Sequence, residues 1–176
     1  MLYEYPIGEG RTEDGMTMSA VARAVLIVVH PGSACGSADF HHGRCMAESE
    51  RMMLADCIRR WDGALVVVDS DLSDEIVEEP LLHDAIEKAL VDNAVRGHHV
   101  ARLLACDDPE ADYDDGDWSS QVKAHVEGLG FERAILTGAW YHPDDDGGCV
   151  NAVYDVLHEM GVRTDVHDSA LSIDID

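Results

Sequence analysis

Short, nearly continuous apolar runs alternate along this chain with longer stretches whose apolar positions recur every three or four residues. Ala24–Val29 (ending at His30), Ala64–Ser70 and Val100–Cys106 lack polar alternation, the pattern of strands buried on both faces. Between the first two, Met46, Met53, Leu54, Cys57, Ile58 and Trp61 mark one face of a helix over 47–61, which Gly63 stops. Pro80, behind the acidic segment Asp71–Glu79, suits a first helical turn, and Leu82, Ala85, Ile86, Ala89 and Leu90 carry that helix to about Val95. Trp118, Val122, Val126 and Leu129 predict a third helix ending at Gly130, and Arg133 leads into a fourth strand, Ala134–Thr137.

The last unit of this alternation carries the candidate chemistry. Gly138 closes the strand, a polar loop follows, and Gly147 and Gly148 open a helix in which Val150, Val153, Tyr154, Val156, Leu157 and Met160 share one spacing. Gly161 stops that helix, and 163–170 returns as a fifth strand. Five strands alternating with four helices predict an α/β fold, a three-layer, doubly wound, mostly parallel sheet, flavodoxin-like in outline. Residues 1–20, with Gly8, Gly10, Gly15 and no apolar period, read as an N-terminal arm, and 21–176 as a single domain.

A parallel sheet gathers its strand-to-helix loops at the carboxyl edge, where such sheets bind ligands. His30 with the loop Pro31–Gly43, Asp69 with Asp71, Cys106 with Asp107, and Gly138 through Cys149 would then meet there. Gly138, Gly148 and Asp69 are the expected substrate-binding positions. Cys149 falls at a helix N-terminus, where the dipole and unbonded N–H groups favour a thiolate by on the order of 0.3–1 kcal/mol. Asp144, Asp145 and Asp146 oppose that thiolate if they point inward.

Charge changes the picture of partners rather than of fold. With 36 acidic and 12 basic residues the formal net charge is −24, which argues against nucleic acid and anionic membrane as partners. Lys88 and Lys123 are the only lysines, and Asp outnumbers Glu, a composition resembling that of salt-adapted (halophilic) proteins. The longest buried run is too short to span a bilayer and the first twenty residues resemble no signal peptide, so a cytoplasmic protein is expected. Five cysteines at unpaired spacings (Cys35, Cys45, Cys57, Cys106, Cys149) fit reduced thiols, with Cys57 and Cys106 expected in the core.

Cofactor signatures are absent. The loop His30-Pro-Gly-Ser-Ala-Cys-Gly-Ser has neither the glycine spacing of a dinucleotide site nor the Lys of a phosphate cradle, although Ser33 and Ser37 could hold a small anion; no cofactor is expected. His41, His42, Cys45, His98, His99 and His142 lack paired metal-ligand spacing and read as loop and surface residues, so no metal ligand is assigned. His125 and His158 read as structural or exposed. Asp107–Asp117, with seven acidic residues in eleven, reads as a solvated loop.

Ile135-Leu-Thr-Gly, Cys149-Val150, Ala152, Gly161 twelve residues after the cysteine, and Asp168 with Ala170 resemble the isochorismatase-like cysteine hydrolases. The resemblance rests on 135–170; elsewhere only the order of elements agrees. It implies a six-stranded parallel sheet flanked by helices, a homo-oligomeric habit, and hydrolysis of a small amide-like or vinyl-ether substrate by Cys149. Where that family has an activating Asp after its first strand, this chain has His30. Its Lys before the third helix has no counterpart in Asp107–Asp115, Lys123 lying inside the helix, and the loop before Cys149 is longer than the family's turn. A Cys149–His30 pair would then act as nucleophile and base, with backbone N–H groups around Gly148–Val150 facing the oxyanion. Two alternatives stand beside this hydrolase: a non-catalytic scaffold or small-ligand binder of the same fold, marked by exposed tryptophans such as Trp140, and a metal-binding protein using the His- and Asp-rich loops.

Overall fold

The computed structural model describes residues 24–31, 47–69, 80–104, 118–143 and 148–172. In chain order these form β1 (Ala24–Val29), α1 (Glu48–Arg60), β2 (Ala64–Asp69), α2 (Pro80–Val95), β3 (Val100–Leu104), α3 (Trp118–Glu127), β4 (Arg133–Tyr141), α4 (Cys149–Glu159), β5 (Arg163–Val166) and β6 (Leu171–Ser172). The sheet order is β3-β2-β1-β4-β5, with β6 also on β4, and every pairing is parallel. The result is a three-layer, Rossmann-like α/β fold. Here β1 is flanked by β2 and β4, which differs from the flavodoxin order, in which β1 is flanked by the second and third strands.

The apolar runs explain the layers. All six residues of β1 and all six of β2 are buried, because helices cover both faces. Alternate residues serve opposite cores. Leu26, Val28, Leu65 and Val67 pack with Leu54, Ile58, Leu82 and Ile86 under α1 and α2. Val25, Ile27, Val66 and Leu136 pack with Val122, Val126, Val150, Val153 and Leu157 under α3 and α4. Each fully buried aliphatic side chain contributes about 1.5–3 kcal/mol over its exposed state.

Helix ends follow local chemistry. The Ala47 N–H donates to the Glu50 carboxylate at 2.8 Å, and Arg59 and Arg60 sit in the last turn of α1, where cations favour the helix dipole. Buried Asn93 ties the turn after α1 to α2: its Oδ1 accepts from Gly63 N–H at 3.0 Å, and its Nδ2 donates to Ala89 O at 2.9 Å and Trp61 O at 3.2 Å.

Four expectations change. The fourth strand runs past Gly138 to Tyr141, because beyond this glycine, where the ladder to β1 ends, Ala139 and Tyr141 pair with Leu171 and Ser172 of β6. The fifth strand divides into β5 and β6 at a turn closed by Ala170 N–H to His167 O, 2.8 Å, which carries Ser169 inward. Met53, expected on the apolar face of α1, is 46% exposed; Leu54, Ala55 and Ile58 form that face instead. Trp140, expected on the surface, is buried beside Leu171 and Ala139. No helix among the described residues is long and apolar enough to cross a membrane.

Candidate functional site

The chain winds from β1 through α1 and α2 to β2 and β3 on one side, then returns by α3 to place β4 on the other side of β1. The winding therefore reverses between β1 and β4, and the carboxyl ends of those two strands flank the crevice in which sheets of this kind take ligands. Val29 pairs with Gly138 at that point. His30 follows Val29, and Cys149 begins the helix that follows β4.

His30 is held at the strand end by its own N–H, which donates to Val68 O at 2.8 Å, and it is 5% exposed. Its φ of 41° lies in the left-handed region, uncommon for a residue with a side chain and frequent at functional positions. Asp69 ends β2 and is buried, and its carboxylate takes two hydrogen bonds from Arg102 of β3, whose Nη1 also donates to Glu87 at 2.6 Å. The Asp69 hydrogen bond is the main reason that Arg102 is held above its ordinary pKa, against the opposing effect of burial. Asp69 thus reaches the carboxyl edge already paired with a cation.

Two glycines set the path from β4 to α4. A Cβ on Gly148 would meet Trp140 O at 2.3 Å and Asn151 Oδ1 at 2.7 Å, so only glycine fits at the start of the helix. Asn151 then grips the loop at both backbone groups of one residue: its Oδ1 accepts from His142 N–H at 2.9 Å, and its Nδ2 donates to His142 O at 2.8 Å. This side chain fixes where the first turn of α4 lies relative to the end of β4. The Ala139–Trp140 peptide within that path is cis.

Cys149 is the first residue of α4, with Gly148 at the N-cap and no side chain capping the turn. It is partly buried and packs against the core under α3 and α4. Gly138, Gly148, Asp69, His30 and Cys149 all belong to the carboxyl edge, His30 directly after β1 and Cys149 at the start of the helix that follows the neighbouring strand β4.

A second polar cluster sits under α1. Thr137 Oγ1 and Ser169 Oγ are both fully buried and 2.7 Å apart, and His167 Nδ1 lies 2.8 Å from Ser169 Oγ while accepting Ser169 N–H at 3.0 Å. Cys57 is also hydrogen-bonded to Ser169, and burial pushes its thiol above the ordinary value.

Asn151, Arg102 and Ser169 went unnoticed in the sequence. Only Asn151 carried a signal there, as an amide two residues after the candidate cysteine in a helix's first turn. Cys35, His41, His42, Cys45, Cys106, Asp107–Asp117 and Asp144–Asp146 lie outside the described residues. Among the described residues no three His, Cys, Asp or Glu side chains converge as for a metal ion. The chain matches no family model, no curated protein and no solved structure.

Proposed function

We propose that the crevice between β1 and β4 is the active site of a cysteine hydrolase resembling the isochorismatase-like enzymes, acting on a small amide-type substrate. The observation that carries this reading is topological. The winding reverses between β1, which His30 follows directly, and β4, which leads into the helix that Cys149 begins, and doubly wound sheets take ligands at such a reversal.

In this reading His30 takes the thiol proton as Cys149 Sγ bonds to the carbonyl carbon, and the oxyanion faces N–H groups of the first turn of α4. Collapse breaks the C–N bond, with His30 returning its proton to the departing amine. Water, deprotonated by His30, then opens the thioester and regenerates the thiol. Asp69 takes part in the site's charge only through Arg102, and Asn151 holds the helix start in place.

Iodoacetamide labelling followed by peptide mass spectrometry tests the pair. Cys149 should alkylate faster near neutral pH than a cysteine in an unfolded peptide, and His30→Ala should slow it at least tenfold while Cys57 is unaffected. Labelling no faster than the peptide, or indifferent to His30, would remove the catalytic reading and leave a ligand-binding crevice.

A further inference from the structure

At the opposite edge of the sheet, away from Cys149, two histidines face each other. His99 immediately precedes β3, and its carbonyl accepts Leu65 N–H at 2.9 Å; His125 lies near the end of α3. Their Nε2 atoms are 3.1 Å apart, with ring centroids at 5.2 Å and planes at 44°. Both side chains are partly exposed, so an ion from solvent can reach them.

We infer that His99 and His125 form a two-imidazole site for a divalent transition cation of borderline softness, such as Ni2+, Cu2+ or Zn2+. Nitrogens bound at about 2.05 Å and separated by the observed 3.1 Å subtend an angle of about 98° at the metal, between octahedral and tetrahedral geometry. In the unliganded pair one ring donates its Nε2–H to the other. A cation takes the place of that proton and receives both lone pairs once the rings turn toward it, with water filling its remaining positions. The net charge of −24 raises the local cation concentration. Hard ions such as Mg2+ prefer oxygen ligands and would not compete for this pair.

The test is calorimetric titration of the whole chain with Ni2+ in millimolar Mg2+, which occupies surface carboxylates. One saturable Ni2+ per chain is expected. His99→Gln and His125→Gln should each weaken it at least tenfold, and His98→Gln, whose ring bonds Asp62 at 3.1 Å, should leave it unchanged. Absence of saturable binding below millimolar Ni2+, or equal affinity in all three variants, would overturn the site. A second measurement needs no variant. During Zn2+ addition to the wild-type chain the imidazole 15N resonances of His99 and His125 should shift together, and shifts confined to other histidines would also overturn it.

Discussion

Gly138 lies so close to Val29 across the β1–β4 ladder that a Cβ built on it would stand 2.0 Å from the Val29 carbonyl oxygen and 2.6 Å from its nitrogen. Its φ of 111° excludes side chains independently of that contact. The close approach occurs where the winding reverses, so the two strands flanking the candidate crevice are joined through a missing side chain. Gly138→Ala must part the strands or turn the peptide, and should destabilise the fold by about 2–4 kcal/mol, read from the urea midpoint. A loss below half a kcal/mol would mean the strands separate freely.

Asn93 should be among the most sensitive buried polar positions. Asn93→Ala abandons Gly63 N–H, Trp61 O and Ala89 O together and should cost about 2–4 kcal/mol. Asn93→Asp keeps the acceptor for Gly63 but turns a buried carboxylate oxygen toward the Trp61 and Ala89 carbonyls, and should cost at least as much as the alanine variant in the same unfolding series.

Asn151 is a positioning residue. Asn151→Ala releases both backbone groups of His142, letting the start of α4 drift from the end of β4. The alkylation rate of Cys149 should drop roughly tenfold with the melting temperature little changed, since small displacements at a reacting group cost rate steeply. The Cys57 rate, measured on the same digest, should stay constant; a parallel fall at both cysteines would indicate general loosening instead.

Cys57 makes stability sensitive to alkaline pH. Burial raises its thiol above the ordinary 9.0, and the Ser169 hydrogen bond lowers it by less. The native state then holds the proton more tightly than the unfolded chain, so this contribution is complete below about pH 9 and lost as pH rises through the native value. The thermal midpoint should decline more steeply above pH 9 in the wild type than in Cys57→Ala, and identical slopes would show that the thiol ionises as freely as in the unfolded chain.

The acidic surface predicts a response to salt. Raising KCl toward molar concentration shortens the screening length to about 3 Å and suppresses self-repulsion among the charges behind the net −24. The melting temperature should rise; a flat or falling profile would remove the salt-adapted reading.

Periodicity carried most of the fold because burial on two faces leaves a run such as Ala64–Val68 no polar alternation, and a one-sided helix such as α4 repeats every three or four residues. Boundaries failed where one residue's conformation depended on a distant neighbour. The glycine at 138 read as a stop, and it does end the ladder to β1, yet the strand continues because β6 pairs with the residues after it. Trp140, in a stretch of polar loop character, is buried because Leu171 arrives beside it. Met53 had the right spacing for the apolar face, but Leu54, Ala55 and Ile58 are the residues that pack against α2 and the sheet.

The candidate site divides in the same way. The amino-acid sequence alone determined that a cysteine begins a helix after a parallel strand, that a histidine ends the first strand, and that the surface is strongly acidic, since these depend on local pattern and composition. The tertiary structure decided that β4 lies beside β1, that Asp69 is held by Arg102, that Asn151 grips His142, and that His99 meets His125. Those contacts join residues from nine positions apart, as for Asn151 and His142, to more than a hundred, as for Val29 and Gly138, and no periodicity within a single element encodes which element will lie alongside it.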